Sequence, residues 1–344
     1  MCYTITKRCV MSKSPVSVPS AGLCAALCAV LCGLLGLMAG PARAAPRVAA
    51  DIPPVHALVA QVMDGIGTPD LIMGGGASPH GHALRPSEAR ALQAADLVVW
   101  IGPGLTPWLG MALPTLAKGA DLLTLAAHPG TRTLPARSAA NFGLEADAHG
   151  DHDNHEDHEQ GDAHGHDPAA LADGLVDPHL WLDPGNAEIW LDEIAARLAR
   201  LDPANAARYA ENARTARAGL AALRSDLDAM LAPVRGGRYV VFHDGYQYFE
   251  RAFDMPAAGA IALSDASDPS PARIAEIRSV VRQGGIACVF SEPQLNTALI
   301  APVFEGTEVR LAVADPLGAA LPPGPALYGD VLRGLAGALS DCLK

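Results

Sequence analysis

The chain has few basic residues for its size. Its 344 residues include 25 lysines and arginines against 37 acidic residues. Four of the basic residues and no acidic residue lie within residues 1–44, so the rest of the chain carries a formal net charge of −16. This balance argues against nucleic acid and anionic membrane surfaces as partners, because both attract cationic proteins. It is compatible with a protein that handles cations.

A long apolar run is absent except near the N-terminus, where residues 21–40 carry no charge. Basic residues at 7–13 precede this run, and the sequence Pro-Ala-Arg-Ala follows it at 41–44. Such an order is typical of a cleavable secretory signal, so we predict that residues 1–44 are removed on export. A membrane anchor is the alternative, since the run is long enough to span a bilayer. Met11 is an alternative start.

Cysteine is scarce in the predicted mature chain, which keeps only Cys288 and Cys342 of the seven cysteines. A single pair in an exported protein predicts one disulfide. That bond would tie the C-terminus to an apparently buried strand. Two free thiols are the alternative.

Lysine and arginine are missing between Arg137 and Arg197, and half of the 12 histidines are clustered in one part of this stretch. The six lie within 18 residues, with acidic residues in most of the gaps: His149, His152, His155, His158, His164 and His166. Neutral imidazole is a favoured ligand of zinc, copper and nickel. So polar a tract cannot bury enough apolar surface to become ordered. We therefore predict a flexible metal-collecting loop over residues 145–167, with a solvated acidic linker as the alternative.

Outside this loop, short apolar runs alternate with amphipathic segments in both halves of the chain. Parallel sheets with helical crossovers follow from this rhythm, so the predicted fold class is α/β. One long helix is predicted from Pro203 to Leu231, because apolar residues recur there at spacings of three and four. We expect an N-terminal lobe at 45–200, a linking helix within 201–233 and a C-terminal lobe at 234–344.

Ligands of such folds bind outside the carboxyl ends of the strands. Four residues with metal-binding side chains lie at or near these ends: His80, His179, His243 and Asp315. Three histidines and one carboxylate make a suitable tetrahedral zinc shell. His82 could replace His80, whereas His56 and His128 are interpreted as structural or exposed.

Six motifs occur in a fixed order along the mature chain: GASPHGHALRPS, ADLVVWIGP, DPHLWLDP, VVFHDGYQYF, FSEPQ and ADPLG. Together they resemble the metal-binding solute proteins of ABC importers, specifically the zinc-uptake type. The resemblance implies two pseudosymmetric lobes joined by one long helix, with His80, His179 and His243 binding metal in the cleft. Some members carry a carboxylate just before the first ligand, where this chain has Pro79. The fourth ligand is therefore Asp315 or a water.

The resemblance also implies a function. Such a protein captures zinc in the periplasm as a monomer and delivers it to a membrane permease with its ATPase. A periplasmic zinc buffer without a transporter is one alternative. A zinc-dependent hydrolase is another, for which Glu292 is the candidate general base, although a carboxylate in a structural turn explains that residue better. We expect a binding protein rather than an enzyme.

Overall fold

The computed structural model describes residues 44–137, 142, 176–262, 270–283, 285–294, 304 and 306–344. Residues 1–43 of the predicted signal sequence and the histidine-rich loop at 145–167, with its six histidines, lie outside these residues. The described residues from 45 onward belong to one compact unit. Within the described ranges, no helix is both long enough and apolar enough to cross a bilayer.

Two four-stranded parallel sheets form the centre of the described structure. Their strands are β1 (Val48–Ala50), β2 (Asp70–Leu71), β3 (Leu97–Trp100), β4 (Asp121–Thr124), β5 (Tyr239–His243), β6 (Gly259–Ala262), β7 (Cys288–Ser291) and β8 (Arg310–Val313). The first sheet has the order β2-β1-β3-β4 and the second the order β6-β5-β7-β8. The second half thus repeats the strand order of the first. The prediction of an α/β fold with two pseudosymmetric lobes is confirmed.

Helices flank both sheets. In the described ranges they are α1 (Pro53–Val62), α2 (Pro86–Ala94), α3 (Pro107–Leu116), α4 (Pro184–Leu201), α5 (Ala206–Leu231), α6 (Gln247–Phe253), α7 (Pro271–Gln283) and α8 (Leu327–Leu343). Five of them begin with proline. Proline suits the first turn of a helix, because the backbone N–H groups there have no acceptor within the helix and the absence of one costs nothing. At α4 the side chain of Asp183 also accepts a hydrogen bond from the backbone N–H of Gly185 at 2.8 Å.

Helix α5 lies within the predicted linking segment and extends about 39 Å at 1.5 Å per residue. Its buried residues recur at spacings of three, four and seven: Tyr209, Ala213, Leu220, Leu223, Leu227 and Leu231. The sequence pattern places Met230 on this face, but Met230 is 39% exposed and Leu231 is buried instead. Both residues lie about one turn beyond Leu227, so the spacing alone does not choose between them.

A single hydrophobic core connects the two lobes. It includes Leu58 of α1, Trp190 of α4, Tyr209 of α5, Phe290 of β7 and Leu335 of α8. Interfaces between freely moving domains are usually more polar than such a cluster of buried aliphatic and aromatic side chains. The lobes therefore hold each other in place through packed side chains as well as through the linking helix.

The two cysteines of the mature chain form a disulfide, as predicted. Cys288 lies on β7 and Cys342 on α8, with Cα atoms 6.0 Å apart. Both residues are buried. The bond fastens the last helix of the chain to a central strand of the second sheet.

Asp51 is a buried carboxyl at the carboxyl end of β1. It is fully buried, and its two oxygens accept hydrogen bonds from the backbone N–H groups of Ile52 at 2.9 Å and Ile101 at 2.8 Å. Burial raises the pKa of Asp51 from 3.8 to about 7, because desolvation of the charged form outweighs these hydrogen bonds. Asp51 thus links the ends of β1 and β3 in a form that titrates near neutrality.

This raised pKa predicts a pH dependence of stability. Between pH 4 and pH 7 the folded state holds more protons than the unfolded state, so the free energy of unfolding falls as pH rises. From pH 5 to pH 8 the loss attributable to Asp51 should be about 2 to 3 kcal/mol. The Asp51→Asn variant has no ionisable group at this position, so its free energy of unfolding should lack this pH-dependent loss. Any change in stability that is the same at both pH values does not affect the comparison. Urea unfolding of both metal-free proteins at the two pH values measures this loss, and identical pH dependence would refute the assignment.

Candidate metal centre

Two of the predicted metal-binding histidines face each other across the lobes. The Nε2 atoms of His179 and His243 are 3.1 Å apart, and the ring centroids are 5.0 Å apart. His179 precedes a short 3₁₀ helix (Leu180–Leu182) on the N-terminal side of α4, whereas His243 is the last residue of β5. Both residues are at least 95% buried. Two nitrogens bound to one tetrahedral zinc at 2.0–2.1 Å would be about 3.3 Å apart, so the observed spacing is close to that of two ligands.

Carboxylates orient both imidazoles. Nδ1 of His179 lies 2.7 Å from Oδ1 of Asp177, which also accepts the backbone N–H of His179 at 3.0 Å. Nδ1 of His243 lies 2.5 Å from Oε1 of Glu292. A carboxylate accepts but does not donate, so each Nδ1 carries the proton and donates it. Each Nε2 consequently presents a lone pair.

The two Nε2 atoms lie 3.1 Å apart, close enough to share a proton or to bind one cation. Such a contact is repulsive unless a cation or a proton lies between the nitrogens. The carboxylate–histidine pairs are also the usual arrangement around zinc ligands, where the carboxylate fixes the ring and increases the basicity of the coordinating nitrogen. The geometry can bind a divalent cation that accepts nitrogen ligands.

His80, the third predicted ligand, lies beside this pair. Its ring centroid is 5.7 Å from that of His179. It belongs to a 3₁₀ turn (Pro79–Gly81) in which the hydroxyl of Ser78 accepts the backbone N–H of His80 at 3.2 Å. The indole N–H of Trp108 donates to the carbonyl of Pro79 at 2.7 Å and anchors this turn to α3.

Asp315, the predicted carboxylate, holds its own loop together. Its Oδ1 accepts the N–H groups of Leu317 and Gly318, and its Oδ2 accepts that of Ala319 at 2.6 Å. The side-chain amide of Gln294 donates to Oδ1 as well, at 3.0 Å. Within the described residues, no three histidine, cysteine or acidic side chains are yet arranged to enclose a metal. The structure thus brings two candidate ligands to ligand spacing, with His80 adjacent.

Glycine permits close approach at two points around the centre. A β-carbon on Gly245 would lie 2.5 Å from Nε2 of His243 and 3.3 Å from Cδ2 of His179. A β-carbon on Gly75 would lie 3.0 Å from the carbonyl of Leu317, and the Gly75 carbonyl accepts the amide of Gln294 at 2.7 Å. Larger residues at either position would push apart loops that bear candidate ligands.

The remaining described histidines make other contacts. His82 lies 2.9 Å from a carboxylate oxygen of Glu88, and its ring packs against Trp108. His56 is buried, with Nε2 3.1 Å from the carbonyl of Pro69. His128 accepts the backbone N–H of Gly130 at 3.1 Å. None of these contacts involves the facing pair of imidazoles.

Sequence reasoning missed the orienting role of two carboxylates. Asp177 stands two positions before His179, a spacing that could have indicated it. Glu292 directly follows β7, which pairs with the strand that ends at His243, so the rule on strand ends could have identified it too. The sequence had suggested Glu292 only as a general base or a turn residue. In the structure it accepts a hydrogen bond from a candidate metal ligand.

Two pseudosymmetric α/β lobes with carboxylate-oriented imidazoles between them define the class of two-lobed metal-binding solute proteins. The family model described as "Zinc-uptake complex component A periplasmic" matches residues 48–342. The chain belongs to this family.

The sequence is similar to those of curated relatives over nearly the whole length of the chain. The chain is 44% identical over 310 residues to the high-affinity zinc uptake system protein ZnuA of Paracoccus denitrificans, covering 90% of this chain and 95% of that protein. It is 40% identical over 307 residues to the protein of the same name from Brucella suis, covering 86% and 91%.

Solved structures share the fold. A crystal structure of ZnuA superimposes with a TM-score of 0.69 at 22% identity, covering 87% of this chain and all of that chain. The periplasmic zinc binding protein TroA from Treponema pallidum gives a TM-score of 0.67 at 17% identity, covering 87% and 99%.

The orienting carboxylates generate a prediction. Glu292→Gln keeps an acceptor for the Nδ1 proton but removes the negative charge that makes Nε2 of His243 a better donor to a metal. Zinc affinity should fall about 10- to 100-fold, the usual effect of removing such a partner. Competition titration with a chromophoric chelator measures it. Glu211→Gln, a carboxylate removed from the exposed surface of α5, is the control, and equal affinities in the two variants would refute the role of Glu292.

Proposed function

We propose that this protein binds one zinc ion tightly in the cleft between its lobes and delivers it to an ABC importer. The relatives named as high-affinity zinc uptake proteins support this assignment. The observation that carries it is the pair of buried imidazoles, one from each lobe, whose Nε2 atoms are 3.1 Å apart with carboxylates behind them.

In this proposal His80 and His179 bind zinc from the N-terminal lobe and His243 binds it from the C-terminal lobe. A water supplies the fourth position. Three backbone N–H groups and one amide already donate to Asp315, which favours a structural role for that carboxylate. Asp315 then positions its loop against the cleft and does not touch the metal.

The donor set favours zinc chemistry. Three imidazole nitrogens suit Zn²⁺, Cu²⁺ or Ni²⁺ better than Mn²⁺, which prefers oxygen ligands. Imidazole must be deprotonated at the coordinating nitrogen, so protons compete with the metal and acid weakens binding. The preference for zinc over copper and nickel is proposed from the named relatives.

Delivery follows from the position of the ligands. Because they come from both lobes, zinc bridges the lobes, and a membrane permease with its ATPase can distinguish the loaded form. We place this activity in the periplasm, after removal of residues 1–44, and propose that the protein acts as a monomer. The lobes then span residues 45–200 and 234–344, joined by the segment 201–233.

The histidine-rich loop at 145–167 is proposed to collect additional zinc more weakly than the cleft. It offers six imidazoles interspersed with carboxylates, a composition that supplies many zinc ligands. Its six histidines raise the amount of zinc held near His179, which lies 13 positions beyond His166.

A single titration tests both proposals. The mature protein should show one tight phase from the cleft and weaker phases from the loop. His243→Ala removes one of three nitrogens, so the tight phase should weaken by several orders of magnitude while the weak phases remain. His128→Ala serves as the matched control, because His128 is neither a proposed cleft ligand nor part of the histidine-rich loop.

Near-normal tight binding in His243→Ala would overturn the ligand assignment. Loss of the weak phases together with the tight one would overturn the separate role proposed for the loop.

A further inference from the structure

One tyrosine hydroxyl of the C-terminal lobe holds both ends of the segment that contains the histidine-rich loop. Tyr248 lies on α6 and is 1% exposed. Its hydroxyl accepts the backbone N–H of Leu134 and donates to the backbone carbonyl of Asp177, each at 2.9 Å. The N–H of Asp177 in turn donates to the carbonyl of Leu134 at 2.9 Å. A buried three-way contact thus joins α6 to the N-terminal lobe.

This contact bears directly on the metal centre, because Asp177 orients His179. Its backbone N–H and carbonyl are fixed by Leu134 and Tyr248, and its side chain holds the imidazole at 2.7 Å. These contacts of Asp177 together hold one orientation of the candidate ligand.

Arg137 makes a second connection, beside the other facing histidine. Its guanidinium donates to Asp244, the residue after His243, at 2.9 Å and to Glu250 of α6 at 2.9 Å. The two carboxylates are 4% and 6% exposed. The Phe142 ring covers the guanidinium, with a distance of 3.7 Å to the ring centroid. A paired, buried charge of this kind has a strong geometric preference.

We propose that Tyr248 and Arg137 are positioning residues for zinc capture. Together they form an interlobe clasp, defined as the contacts of Tyr248 with Leu134 and Asp177 and those of Arg137 with Asp244 and Glu250. The clasp holds His179 and His243 at ligand spacing before the metal arrives. This inference rests on the proposed function.

Preorganisation explains why the clasp affects affinity. Ligands that are already in place lose little conformational freedom on binding, so more of the coordination energy appears as affinity. Without the Tyr248 hydroxyl, Asp177 and His179 can adopt other arrangements in the metal-free protein. Zinc must then order them, which weakens binding and speeds release. A residue with a purely structural role would lower stability in both states and leave affinity unchanged.

The test uses the isosteric substitution Tyr248→Phe in the full mature protein. Tyr239→Phe is the matched control, since Tyr239 is 2% exposed and its hydroxyl also donates to one backbone carbonyl, that of Met255 at 2.5 Å. Zinc affinity is measured by chelator competition, and zinc release by stopped flow. Tyr248→Phe should bind zinc at least about tenfold more weakly, equivalent to about 1.4 kcal/mol, and release it faster. Tyr239→Phe should match the unaltered protein.

Equal affinity in Tyr248→Phe and the unaltered protein would overturn the clasp, as would an equal loss in both tyrosine variants. If Tyr248→Phe did not fold, Arg137→Lys would replace it, because lysine keeps the charge but cannot bridge both carboxylates in the same geometry. That variant is judged against the same tenfold expectation. Failure of the unaltered protein to bind zinc would instead overturn the proposed function.

Discussion

The structure depends on the close approach of two buried imidazoles, whose Nε2 atoms are 3.1 Å apart and repel each other unless a proton or a cation lies between them. Neither ring can turn its proton toward the other without losing a carboxylate partner, Asp177 on one side and Glu292 on the other. A folded protein that keeps this arrangement must relieve the repulsion with a cation or a proton. The fold therefore favours a positive charge at this point, which is the property that the proposed zinc site requires.

The rest of the fold keeps the two nitrogens from drifting apart. A hydrophobic core that spans both lobes resists separation of the lobes. Trp181, two residues after His179, donates its indole N–H to the carbonyl of Pro316 at 2.8 Å, and the hydroxyl of Tyr328 donates to the carbonyl of Trp181 at 2.8 Å. The loop bearing one candidate ligand is thereby fastened to the opposite lobe from two directions. Gly245 leaves the space between the rings open.

Sequence patterns predicted those features of the structure that depend on residues close together in the chain. Unbroken apolar runs identified buried parallel strands, and the rule on strand ends placed His243 at the end of β5. The alternation of strands and helices in both halves of the chain and the pairing of Cys288 with Cys342 were also predicted. Two other contacts, those of Glu292 with His243 and of Tyr248 with Asp177, could not be assigned from sequence, because the partners lie 49 and 71 positions apart. Only the folded chain shows which carboxylate faces which imidazole.

The central claim is that one zinc ion lies between imidazoles of both lobes. X-ray absorption at the zinc edge, recorded on mature protein loaded with one equivalent of zinc, tests it most directly. The account predicts a four-coordinate shell of three imidazole nitrogens and one oxygen at about 2.0–2.1 Å, the distances expected for zinc with nitrogen and oxygen ligands. A shell with sulfur, or one dominated by oxygen with fewer than two imidazoles, would contradict it.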